Sequence, residues 1–295
     1  MIAGLDEDYR LGDPSVVATS ASTTGVGGSG ASGSGGSAPL GPFGPPEPLT
    51  DLNSSANEDD PTATGDLLEI YFDSTRAGTM GISDIWYSKR MAVGDDWPAP
   101  QVAMELSSGA ADTSPEISPD GLTMFLSSNR AGGDFDIYMS RRMNRNETWP
   151  TPEPVDSLNS VSNDYGVGFM PDLLHLVLAS TRDGTFDLFA TRRMGLDQPW
   201  ETPGAITELN SGALESDPWI DASGTVLYFT GDRLANVNIH IAERASRGEM
   251  FAMPEVVAEI SGADLDQDPW LSPDMKTVLF ASDRAGTLDL YMAKR

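Results

Sequence analysis

From about residue 41 onward, short apolar runs alternate with turn-forming residues. The clearest runs are Leu122–Leu126, Leu173–Leu178, Val226–Phe229 and Val278–Phe280. All are strand-length, and none continues with the 3.6-residue period of a helix. Turn chemistry precedes them: Pro119-Asp120-Gly121, with the variants Pro273-Asp274-Met275 and Ala222-Ser223-Gly224. Proline presets φ for such a turn, and glycine tolerates the positive φ that it demands.

The same pattern recurs with a period of roughly 51–54 residues, close to the length of a propeller blade. One marker is a Ser/Thr-rich strand end followed by arginine. The copies are Ser74-Thr75-Arg76, Ser128-Asn129-Arg130, Ser180-Thr181-Arg182, Gly231-Asp232-Arg233 and Ser282-Asp283-Arg284. A few residues later comes Asp or Asn and then two mostly apolar residues: Asp84-Ile85-Trp86, Asp136-Ile137-Tyr138, Asp187-Leu188-Phe189, Asn238-Ile239-His240 and Asp289-Leu290-Tyr291. An aromatic-x-x-Pro signal closes each unit, as in Trp97 to Pro100, Trp149 to Pro152, Trp200 to Pro203 and Phe251 to Pro254. Each unit therefore reads as four strands. The first follows carboxylate-x-x-Pro, the second is the apolar run, the third is Asp-Ile-Tyr, and the fourth follows the aromatic.

The last unit reaches Arg295 without its fourth strand. The missing strand is found at the other end, because Phe43–Asn53 (FGPPEPLTDLN) aligns without gaps on Trp149–Asn159 (WPTPEPVDSLN). Joining first and last elements removes exposed sheet edges. The pattern predicts an all-β, five-bladed β-propeller of four-stranded antiparallel blades over residues 41–295, closed by an N-terminal strand. Residues 1–40, rich in Ser, Gly and Ala, are expected to form a disordered tether.

These repeats resemble the TolB-like, WD-repeat-like propeller family. The resemblance rests on Ser118-Pro119-Asp120-Gly121, Ser127-Ser128-Asn129-Arg130 and Asp136-Ile137-Tyr138, which recur in degenerate form over residues 41–295. It implies a propeller that binds proteins, scaffolds an envelope assembly, or sits beside a hydrolase domain. No hydrolase domain is expected beside the repeats, and their number, five, differs from the six blades usual for TolB.

Composition narrows the chemistry. The chain of 295 residues has 18 Lys+Arg against 45 Asp+Glu, a formal charge of −27, no cysteine and two histidines. Thiol nucleophiles, disulfides and cysteine-ligated metals are excluded. The charge repels phosphate backbones, so nucleic acid is not an expected partner. No apolar stretch is long enough to span a membrane. The expected location is periplasmic, cell-envelope or secreted, with a leader upstream of Met1, or cytoplasmic if the chain starts there.

Eight residues before each Pro-Asp-type turn stands a carboxylate: Glu58, Asp112, Asp164, Glu215 and Asp266. Two residues on come Asp60, Ser114, Gly166, Asp217 and Asp268. The propeller reading puts these at the channel mouth, on the same face as Arg76, Arg130, Arg182, Arg233 and Arg284. The first expectation is that carboxylates and arginines pair to pin the loops. The alternative is a ligand or partner face that includes Tyr165, Trp219 and Trp270 as stacking surfaces. A Ca²⁺ site is considered at the densest acids, Glu215, Asp217, Asp266 and Asp268; no other cofactor is expected. Repeat symmetry argues against an active site, which would break it. The expected function is a non-catalytic, monomeric module that binds a protein or peptide; a carbohydrate-binding or glycoside-active propeller is the alternative.

Overall fold

The computed structural model describes residues 40–233 and 236–295. The tether predicted over residues 1–40 lies, apart from its last residue, outside the described residues.

Five four-stranded antiparallel sheets surround a central channel. Blade 1 consists of β2 (Glu58–Ala63), β3 (Glu69–Ser74), β4 (Asp84–Lys89) and β5 (Gln101–Val102). Blade 2 consists of β6 (Asp112–Ile117), β7 (Thr123–Ser128), β8 (Asp136–Arg141) and β9 (Glu153–Pro154). Blade 3 runs through β10 (Asp164–Phe169), β11 (His175–Ser180), β12 (Asp187–Arg192) and β13 (Gly204–Ala205). Blade 4 contains β14 (Glu215–Ile220), β15 (Val226–Gly231), β16 (Asn238–Glu243) and β17 (Glu255–Val256). Blade 5 contains β18 (Asp266–Leu271), β19 (Thr277–Ser282) and β20 (Asp289–Lys294), and takes β1 (Glu47–Pro48) as its outer strand. The first strands of neighbouring blades touch in the circular order β2, β6, β10, β14, β18 and back to β2.

Closure occurs at the predicted segment. Glu47 pairs with Met292 and Pro48 with Tyr291. The Gly44 amide donates to the Lys294 carbonyl at 2.8 Å, and the Leu49 amide to the Leu290 carbonyl at 2.9 Å. The outer strands are only two residues long and border proline-rich segments. Short edges of this composition leave little unpaired backbone for another chain to dock on.

Apolar faces of adjacent sheets form the core. Phe125 of blade 2 meets Phe169 of blade 3 with ring centroids 5.5 Å apart. Leu52, Ile70, Phe72 and Phe280 are fully buried in the cluster that joins blade 5 to blade 1.

The inner strands begin at the ring carboxylate, three residues earlier than the Pro-based signal predicts. A β-bulge occupies the interval. Pairing skips Asp60-Pro61, Ser114-Pro115, Gly166, Asp217-Pro218 and Asp268-Pro269. Asp60, Ser114, Gly166, Asp217 and Asp268 all have φ between 43° and 55°. A positive φ suits Gly and is tolerated by Asp, which accounts for these residue types at this position. Such a bulge turns one side chain away from the ladder.

Candidate functional site

The carboxylates at the strand starts are all ion-paired within their own blades. Glu58 lies 3.0 Å from Arg76, Asp112 lies 2.5 Å from Arg130, and Glu215 lies 3.1 Å from Arg233. Asp164 pairs with Arg182, and Asp266 with Arg284. All five carboxylates are fully buried. Around Asp112 the bonding is representative: the Ser108 amide and hydroxyl and the Ser128 hydroxyl donate to it along with Arg130. Arg130 also donates to the Leu106 carbonyl at the end of the preceding blade, and its guanidinium lies over Tyr138. This ring joins blades, and each of its carboxylates is paired with an arginine of its own blade.

The fourth copy is looser. Gly231 stands where the other blades have serine, so Arg233 lacks the Nε bond that Arg76, Arg130, Arg182 and Arg284 make to that hydroxyl.

The four acids considered for Ca²⁺ separate into two groups. Glu215 and Asp266 are held by Arg233 and Arg284. Asp217 and Asp268, at the bulges, instead join Asp59, Asp60 and Asp73 in the channel. In a regular strand residues two apart share a face; the bulge breaks that relation and separates each pair.

Burial, together with repulsion from neighbouring aspartates, raises Asp60 and Asp268 well above the usual carboxylate range. Burial raises Asp217 as well, and pushes Asp73 up to about 7. The Ser114 amide and hydroxyl donate to Asp60 Oδ2 at 3.2 and 2.9 Å. Gln267 Nε2 donates to both oxygens of Asp59 at 3.0 Å. Tyr165 is wedged edge-on between Phe135 and Phe186, and its hydroxyl is raised by burial and by Asp60, Asp73 and Asp217. The cavity among the bulge residues measures about 30 Å³.

Trp219 and Trp270 are 8% and 5% exposed and pack with Tyr228, Leu271 and Leu279. They fill the channel wall, so the expectation of a stacking surface at these residues is corrected. Alternation along the strand, resumed after the bulge, turns these rings into the core.

Two groups of residues escaped the repeat-based reading. Asp73 occupies the position where Ser127 and Thr230 accept a bulge amide from the next blade, donated by Gly166 and Asp268 respectively. An acid interrupting the run Glu69–Ser74 was the available signal. The other group lies at the opposite end of the blades. Here a cleft of about 610 Å³ is lined by Glu69, Tyr71, Tyr87, Lys89, Arg142, Arg145 and Trp149, among others.

Glu69 organises this cleft. It is 4% exposed, and accepts from Arg142 at 2.8 Å, Arg145 at 2.7 Å and the Tyr71 hydroxyl at 2.9 Å. Lys89 lies 3.2 Å away. Burial would raise the Glu69 carboxyl, but the two arginine hydrogen bonds and the nearby cations hold it below its ordinary value. Tyr71 stacks on Tyr87 at 5.7 Å and meets Trp149 edge-on at 6.2 Å. The other blades have Thr123, His175, Val226 and Thr277 where blade 1 has Glu69. The cleft therefore departs from the repeat.

No known family's sequence profile matches the chain, and no curated protein sequence matches it. Solved structures do. A protein of Agrobacterium tumefaciens assigned as TolB is 20% identical, with a TM-score of 0.52 over 81% of this chain and 77% of that one. TolB from Acinetobacter baumannii is 16% identical, with a TM-score of 0.54 over 83% of this chain; the match spans 55% of that protein. The endo-arabinase from Bacteroides thetaiotaomicron is 10% identical, with a TM-score of 0.57 over 86% of this chain and 97% of that one. At these identities the likeness is one of fold. No helix among the described residues is long and apolar enough to cross a membrane.

Proposed function

We propose that this propeller is a non-catalytic module that binds a protein or peptide in the cleft between blades 1 and 2. The departure of that cleft from five-fold repetition carries the reading. A blade-building constraint repeats, as the Arg–carboxylate ring does; Glu69 and Tyr87 have no counterpart in the other blades, which carry Thr123, His175, Val226 and Thr277, and Met139, Ala190, Ile241 and Met292, at those positions. The volume falls within the ~300–1,000 Å³ typical of binding sites, and aromatic walls with a few fixed charges suit an extended segment. Lys89 and Arg145 are partly exposed at the rim, where they favour a carboxylate on the ligand. The family resemblance of the repeats supports a binding role and, with it, an envelope or secreted setting.

Selection from a displayed random-peptide library tests the site. Wild-type protein should enrich peptides that combine an acidic residue with apolar neighbours, and Lys89→Glu with Tyr87→Ala should lose that enrichment. Identical enrichment by the variant would remove the cleft from consideration.

A glycoside-active reading draws support from Glu116, whose carboxyl burial pushes up to about 8 inside the channel, keeping a proton available at neutral pH. The 30 Å³ cavity has no room for a sugar ring in this conformation. Reducing-sugar release from arabinan that disappears in Glu116→Gln would replace the binding reading.

A further inference from the structure

We infer that the upper channel binds one hard divalent cation, best matched by Ca²⁺, through Asp59, Asp60, Asp217 and Asp268. The first ground is spacing. Carboxylate oxygens of Asp59, Asp60 and Asp268 all lie within 4.8 Å of one another. Two oxygens on opposite sides of a calcium ion bound at about 2.4 Å are about 4.8 Å apart, so the three atoms fit around a single ion.

The second ground is unmet bonding capacity. Asp268 is only 6% exposed, and its Oδ2 is buried without a hydrogen-bond donor. Asp217 Oδ1 is in the same condition. Buried carboxylate oxygens normally have a donor or a cation. The hydrogen bonds from Ser114 and Gln267 and from the Asp60 amide go to Asp60 and Asp59 instead.

Space is the third ground. The cavity of about 30 Å³ is of the order needed for one water or one ion. Gly166 keeps it open: a Cβ there would stand 2.6 Å from Asp217 Oδ1. An ion at this point would draw together the inner strands of blades 1, 4 and 5, offsetting repulsion that otherwise opposes ring closure. Shared protons are the competing way to neutralise the cluster.

Titration calorimetry of the chelator-treated full chain with CaCl₂, at physiological salt, separates the two. The expected result is a single-site isotherm and a melting temperature raised on the order of 5 °C at a hundredfold excess over Kd. Chelator should reverse the rise, and Asp268→Asn should abolish it. Asp134→Asn, which removes an exposed acid, should keep it. Absence of binding heat and of any melting shift in the wild type would overturn the inference, as would equal responses from the two variants. If Asp268→Asn does not fold, Tb³⁺ decides: emission sensitised through Tyr165 and displaced by Ca²⁺ supports the site, and absence of sensitised emission overturns it.

Discussion

Arg295 lies over the ring of Phe43, its guanidinium carbon 4.2 Å from the centroid. Its Nε also donates to the Met275 carbonyl at 2.7 Å. The same device occurs in every blade, with Arg90 over Trp97, Arg142 over Trp149, Arg193 over Trp200 and Arg244 over Phe251 at 4.1–4.4 Å. Only at Arg295 and Phe43 does it join the two ends of the described chain. Arg295 is partly exposed, and a stack of this kind contributes about 1 kcal/mol. Arg295→Ala should lower unfolding free energy by about that amount, read as a shift in urea midpoint with unchanged slope.

Truncation should separate the closing strand from what precedes it. Removing residues 1–40 leaves every closure contact described above, and stability should stay near that of the full chain. Removing residues 1–53 deletes β1 and the buried side chains Phe43, Leu49 and Leu52. Several kcal/mol of burial are then lost, at about 1.5–3 kcal/mol per large apolar side chain. Thermal melts of the two truncations should differ widely; coincident melts would contradict the closing role of β1.

The blade-joining arginines should not be equivalent. Arg130→Met strands the fully buried Asp112 carboxylate, and removing one partner of such a pair costs about 3–5 kcal/mol. Arg233→Met should cost less, because Gly231 already denies Arg233 the hydroxyl bond made in the other blades. Denaturant midpoints of the two variants, ranked with Arg130→Met the less stable, check this.

Glu116 makes stability fall with rising pH. Its carboxyl is pushed from an ordinary 4.5 up to about 8 by burial, against a hydrogen bond from Thr62. Below 4.5 both folded and unfolded chains hold the proton. Between 4.5 and about 8 only the folded chain holds it, so each step up in pH favours unfolding; above about 8 the loss is complete. Glu116→Gln should flatten the melting-temperature profile across that window.

Glu69 should act in the opposite sense. Its carboxyl is held below its ordinary value, so its contribution is present above 4.5 and is lost as pH falls below that. Glu69→Gln should lower the melting temperature at neutral pH, leaving Arg142 without its counter-charge and Arg145 with Asp66 alone, and should narrow the gap from wild type in acid. Melts at the two pH values measure that gap.

Repetition made most of the fold legible in the sequence. Five copies, some degenerate, of the Ser-x-Arg, Asp-Ile-Tyr and aromatic-x-x-Pro signals specify strands, turns and blade number, because each blade solves the same local problem with similar residues. Even ring closure could be read, since Phe43–Asn53 repeats Trp149–Asn159. The ion pairing of Glu58, Asp112, Asp164, Glu215 and Asp266 with their arginines was also within reach, because both partners recur in register. Tertiary structure decided what the individual members of the repeat do. The bulge at positive φ turns Asp60, Asp217 and Asp268 to a common point, while Glu215 and Asp266, only two residues away, point to arginines. Trp219 and Trp270 became core for a related reason, since alternation past the bulge directs them into the wall. Asp73 and Glu69 stand on one strand but serve opposite ends of the molecule, which strand spacing alone does not reveal. Their neighbours come from other blades, and contacts between blades depend on where the ring brings distant segments together, a relation that no local pattern encodes.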